Sequence, residues 1–120
     1  MRHKQLGVLL MYVEIQARGF ELSENLESHI HGKITTALQS ANTKVRKVIV
    51  RLFNEEAKNH RQNRSCRIHI SVKGMPDIIA NHRASNIYKA TNAAIKASSF
   101  TVKNKLNRIR RKRVSLINNQ

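Results

Sequence analysis

Tryptophan is absent from this 120-residue chain, and there are only one cysteine, one proline, two tyrosines and three phenylalanines. The lone Cys66 excludes an intramolecular disulfide, which fits a reducing compartment. Few aromatic rings argue against recognition by stacking of single-stranded bases. No apolar run approaches the roughly 20 residues of a membrane span. The basic start, Met1-Arg2-His3-Lys4, precedes a short apolar run from Leu6 to Met11, and no small-residue cleavage site follows. We therefore expect a cytoplasmic protein with no membrane partner. Carboxylates are scarcest of all: seven Asp and Glu stand against 23 Lys and Arg, for a net charge of +16. The resulting pI of about 11.2 points to a polyanionic partner.

The same scarcity removes most enzymatic readings. Glu55 and Glu56 are the only adjacent acids, and they fall in a polar stretch that reads as a loop. His29 and His31 are two apart on an expected helix and diverge. Cys66 and His69 are three apart on an expected strand, so they lie on opposite faces. Neither spacing resembles a metal site, and there is no Gly-rich phosphate loop or nucleophile elbow. Cys66 reads as a small core residue. We expect no catalytic residue, metal, cofactor or small-molecule substrate.

What is present orders itself clearly. Val13, Ile15 and Ala17 alternate with Glu14 and Gln16, which predicts a half-buried strand. Ser23 is a good N-cap, with Glu24 and Glu27 following in the first turn. Leu22, Leu26, Ile30, Ile34, Ala37, Leu38 and Ala41 continue at helical spacing to about Ser40. Gly32 weakens this helix and could permit close backbone approach. Lys44 to Asn54 is a second strand and Glu55 to Arg64 a hairpin loop. Cys66, Ile68, Ile70 and Val72 mark a third strand. Lys73-Gly74-Met75-Pro76-Asp77 is a turn, and Ile78 to His82 a short fourth strand. Ser85 is placed to cap a last helix from Asn86 towards Arg113. The expected fold is α+β, ordered β-α-β-β-β-α: a four-stranded mixed sheet with two helices packed on one face. It resembles a double-stranded-RNA-binding domain in outline. Residues 11–113 form one domain, residues 1–10 a flexible extension and residues 114–120 a tail.

The last helix carries the functional signal. No Asp or Glu occurs from Ile78 to Gln120, whereas Lys89, Lys96, Lys103 and Arg110 recur every seven residues. Beside them run Tyr88, Ile95, Val102 and Ile109. Residues seven apart lie two turns apart on nearly one line, so an apolar stripe faces the sheet beside a cationic stripe. Lys105, Arg108, Arg111, Lys112 and Arg113 add charge at the far end. Charge runs are usually solvated faces, but those interleave both signs and this one does not. Phosphate binding is the stronger reading, directed at the backbone and shape of folded RNA. A basic amphipathic helix also suits a membrane surface, but this stripe lacks the bulky Trp, Phe and Leu that such a helix prefers.

Three segments resemble the ribosome hibernation promoting factors of the ribosome-associated inhibitor (sigma-54 modulation) family. These are Val13-Glu14-Ile15-Gln16-Ala17-Arg18-Gly19-Phe20-Glu21-Leu22-Ser23, Val48-Ile49-Val50-Arg51-Leu52 and Asn86-Ile87-Tyr88-Lys89-Ala90-Thr91. The resemblance covers about Met11 to Arg108. It implies a stress factor, monomeric off the ribosome, that binds small-subunit rRNA near the decoding site. Translation would stop because mRNA and tRNA positions are overlapped. Lys33 falls where the family has a basic residue on its first helix, and Lys105 and Arg108 match basic positions on the second. Glu27, Ala97 and Phe100 stand where the family commonly has Arg or Lys, so the basic surface is partly re-registered. The alternative is a generic double-stranded-RNA-binding module, against which the strand ahead of the first helix argues.

Overall fold

The computed structural model describes residues 2–5, 11–41, 43–54 and 63–118. Five strands and two helices follow one another: β1 (Arg2–Gln5), β2 (Tyr12–Arg18), α1 (Glu24–Leu38), β3 (Val45–Asn54), β4 (Arg64–Val72), β5 (Ile78–Ala84) and α2 (Ile87–Asn118). Residues 39–41 tighten into one 3-10 turn at the end of α1. From β2 onwards this is the expected β-α-β-β-β-α order. The strands lie in sequence order across one sheet. β2 and β3 pair in parallel through the α1 crossover, with Val13 opposite Val48 and Ile15 opposite Val50. β3, β4 and β5 pair antiparallel.

One strand was not anticipated. Residues 2–5, expected to belong to a flexible extension, pair antiparallel with β2, Arg2 opposite Ile15 and Gln5 opposite Tyr12. The sheet is thus five-stranded. Four residues of mixed polarity give no two-residue alternation to read, so only the free edge of β2 reveals the pairing. The hairpin loop expected after Asn54 lies largely outside the described residues, at 55–62.

Strand periodicity explains the core. Val13 and Ile15, Val48, Val50 and Leu52, Cys66, Ile68, Ile70 and Val72 all point to the helix side and are buried. Leu26, Ile30, Ile34 and Leu38 bring the buried face of α1 onto them. Ser23 caps α1 as expected, its Oγ accepting from Leu26 N at 3.1 Å. The cap of α2 is Asn86 rather than Ser85: its Oδ1 accepts from Tyr88 N at 2.7 Å and from Lys89 N at 3.3 Å. An Asn is as good a cap as a Ser, so composition alone did not decide between neighbours. The same helix continues to Asn118, past the expected end at Arg113. Nothing between Arg113 and Asn118 breaks a helix, and residues 114–118 therefore continue the rod.

Gly19 and Gly32 contrast. Gly19 has φ +90°, and a Cβ there would sit 2.6 Å from the Asn54 carbonyl oxygen, so the β2–α1 connection requires glycine. Gly32 is exposed with nothing within 4 Å of a built Cβ, so it permits no close approach. In urea unfolding, Gly19→Ala should therefore lose about 1–3 kcal/mol. Gly32→Ala should gain about 0.5–1 kcal/mol through helix propensity.

Cys66 is fully buried beside Thr91 of α2. Burial pushes its thiol from about 9 up to about 12, outweighing a side-chain hydrogen bond with Thr91 that lowers it. The unfolded chain then loses its thiol proton first as pH rises. The contribution of Cys66 to stability should be complete below pH 9 and decline between about 9 and 12. At pH 8, iodoacetamide should label the folded protein far more slowly than the urea-unfolded chain; equal rates would contradict the buried position.

Candidate nucleic-acid interface

α2 is built to lie close against the sheet. Its buried face is Ala90, Thr91, Ala94, Ile95, Ser98, Ser99 and Val102, mostly small residues at spacings of three and four. The hydroxyls on this face are satisfied locally. Thr91 Oγ1 donates to the Ile87 carbonyl at 2.7 Å, and Ser98 Oγ to that of Ile95 at 3.2 Å. Small side chains keep the helix axis near β4 and β5, and this fixes the direction in which the opposite face looks.

That opposite face holds Lys89, Lys96 and Lys103, all exposed, and Arg110 continues the series. The expected apolar stripe is only half right. Ile95 and Val102 are buried, but Tyr88 and Ile109 are each 37% exposed. The reason is geometric. A seven-residue repeat drifts about 20° per step on a straight α-helix, so three steps turn the line by about 60°. The ends of the stripe rotate off the sheet, and the cationic line winds with it. Phe100 is 65% exposed and stands among these bases.

Tyr88 has a different partner. Its ring meets that of His29 on α1 edge-on, with centroids 5.0 Å apart. His29 Nε2 is 2.7 Å from Asn92 Oδ1. These contacts pin the start of α2 to the middle of α1. Lys33 lies one turn further along α1 and is exposed.

The remaining expected residues do not share one face. Lys105 is half-buried, and Arg108, Arg111 and Lys112 fan around the axis at 100° per residue. Arg108 to Arg113 are all exposed. The far end of α2 is therefore cationic all round, whereas its first half is cationic on one side. At 32 residues α2 runs about 48 Å, against about 22 Å for the 15 residues of α1. Its end thus outruns the layer below, in a molecule 61 Å long.

Where α2 leaves the sheet it forms a groove of about 640 Å³ with the 3-10 turn and the β4–β5 turn. Leu106, Ile109 and Val114 line one wall, and Arg110 and Arg113 stand on the same side. Lys44 and Lys73 come from the other side, linked by a 2.8 Å backbone bond from Lys73 N to the Lys44 carbonyl. Sequence reasoning missed both lysines. They are 29 residues apart, and only the antiparallel β3–β4 pairing brings them under the end of α2.

Magnitudes show why the fold tolerates this charge. Two exposed charges about 10 Å apart in water repel by only about 0.4 kcal/mol. Full burial of a side chain such as Ile95 or Val102 contributes about 1.5–3 kcal/mol. Among the described residues no group of three or more His, Cys, Asp or Glu could hold a metal, and no helix is long and apolar enough to cross a membrane. The arrangement is suited to a polyanion held by electrostatics.

Comparison with known proteins agrees with this geometry. No curated protein sequence matches the chain. A ribosomal subunit interface protein from Coxiella burnetii superposes with a TM-score of 0.68 at 10% identity, covering 79% of this chain and 97% of that one. The N-terminal domain of Protein Y from Thermus thermophilus gives 0.65 at 14% identity, covering 80% and 98%. At such identities these likenesses establish the fold. The profile of the sigma-54 modulation protein / S30EA ribosomal protein family matches residues 13–114, from the first core strand to the projecting end of α2. The chain belongs to the sigma-54 modulation protein / S30EA ribosomal protein family.

Proposed function

We propose that this protein is a non-enzymatic ribosome hibernation factor of the cytoplasm. It binds small-subunit rRNA near the decoding site and inhibits translation by occupying mRNA and tRNA positions. The observation that carries the reading is α2: an acid-free helix, anchored by its small face, that presents Lys89, Lys96, Lys103 and Arg110 outward in this family's fold. The family match, and the solved relative named as a ribosomal subunit interface protein, support a ribosomal target. Lys33 contributes from α1, and Lys105, Arg108, Arg111, Lys112 and Arg113 extend the contact along the projecting end. Lys44 and Lys73 join them across the groove. The bases act as positioning contacts to phosphates, which supply affinity and orientation rather than sequence readout. The family is one of ribosome-associated proteins.

A generic duplex-RNA-binding module is the competing reading. The parallel β2–α1–β3 crossover, with a strand ahead of the first helix, weighs against it. Co-sedimentation separates the two: the protein should pellet with small subunits in the presence of excess free duplex RNA. Loss of pelleting under that competition would favour the generic module.

Binding should weaken steeply with salt, with a slope of roughly −0.7 to −0.9 per phosphate contact. Changing Lys89, Lys96, Lys103 and Arg110 together to Gln should weaken co-sedimentation by orders of magnitude and flatten the slope by roughly 3. The circular dichroism spectrum should stay unchanged, and the melting temperature should not fall, because all four side chains are exposed. A salt-independent association would contradict the reading.

A further inference from the structure

The helices cover one face of the sheet and leave the other open. Residues on the open face alternate with the core positions, and their register is fixed by strand pairing. Gln16, Arg51, Arg67 and Asn81 stand in one row across β2 to β5, and Arg18, Phe53, Ser65 and Arg83 in the next. Each of four adjacent strands thus contributes one arginine: Arg18, Arg51, Arg67 and Arg83. They zigzag across three inter-strand steps, about 14 Å. The described acids near this face are Glu14 and Asp77, the first bonded to Gln16 and the second to His69.

Two features indicate a ligand rather than a merely solvated surface. The first is unfavourable for folding alone: Arg51 and Arg67 are direct partners on neighbouring antiparallel strands. Like charges directly opposite one another destabilise a sheet, and an anion between them would reverse that sign. Arg51 is also held in place. Gln16 donates to Glu14 at 2.9 Å, while its carbonyl oxygen accepts from Arg51 Nε at 3.3 Å. This bond does not consume the two terminal guanidinium nitrogens. The second feature is a shallow groove of about 340 Å³ lined by Gln16, Arg18, Arg51 and Phe53. Phe53 offers a ring on this side, with the Arg18 guanidinium 6.0 Å from its centroid. A cationic track beside an aromatic ring is the combination that holds single-stranded nucleic acid.

We propose that the open sheet face is a second RNA site, which takes a short single-stranded segment of about three nucleotides. Arg18, Arg51 and Arg67 hold successive phosphates, and Phe53 supports one base. The site lies on the face opposite α2 and does not depend on the function assigned to that helix. The scarcity of aromatic residues in the sequence is offset here because Tyr12 and Phe53, two of only five, both lie on this face.

The test uses the full chain with every α2 base, Lys89, Lys96, Lys103, Lys105, Arg108 and Arg110 to Arg113, changed to Gln, so that α2 carries no cation to mask the second site. A fluorescein-labelled uridine dodecamer and a 12-base-pair RNA duplex are titrated by anisotropy. The helix-neutralised protein should keep binding the single strand in preference to the duplex. Adding Arg67→Gln should weaken single-strand binding roughly tenfold and reduce the salt slope by about 1. Its melting temperature should hold or rise, which a structural role for Arg67 would not produce, and Arg67→Lys should restore most of the binding. Phe53→Leu should cost roughly fivefold or more. The proposal is overturned if the helix-neutralised protein no longer binds the single strand, if Arg67→Gln leaves the affinity unchanged, or if duplex binding falls equally.

Discussion

Close packing of the small face of α2 on β4 and β5 is the contact on which the rest depends. A helix with no carboxylate repels itself along its whole length and would be a poor structure in isolation, where tertiary packing supplies most helical stability. Here Ala90, Ala94, Ser98 and Val102 let the backbone approach the sheet, and Ile95 fills the space beside them. Each repulsive pair is weak in water, and each buried aliphatic side chain outweighs several of them. The sheet therefore acts as a holder for a charged rod. Anything that loosened the seam would release the rod and disperse its charge at once.

The seam is reinforced at one point only a few residues from the start of the helix. His29, Tyr88 and Asn92 join α1 to α2 by an edge-on ring contact and a hydrogen bond. Because α1 and α2 each follow a strand of the same direction, they run side by side in one sense, and this link sets their relative height. Lys33 on α1 and Lys89 on α2 then belong to one rigid layer. A polyanion crossing from one helix to the other meets charges at fixed separations.

Much of this was legible in the residues themselves. The alternation of Cys66, Ile68, Ile70 and Val72 gave a strand and its buried face, and Ser23 gave the start of α1. The acid-free stretch after Ile78 gave the cationic helix. What could not be read required distance. β1 is defined by its partner, not by its own four residues. Lys44 and Lys73 converge through strand pairing. Tyr88 and Ile109 were assigned to a seam because seven residues nearly close two turns, and the small remainder accumulates over four repeats. The arginine track is invisible for a similar reason: Arg18, Arg51, Arg67 and Arg83 come from four strands and share no sequence spacing.

β1 has a bearing on self-association. A sheet grows by adding strands at an edge, and a long unpaired edge recruits other chains. β2 has seven residues and pairs along its length with β3; without β1 its outer side would offer a template for a second molecule. β1 covers four of those positions and presents a short edge containing Arg2 and Lys4 in its place. Short edges rich in positive charge are poor templates. The same cationic bias that marks this chain thus also makes this edge a poor template.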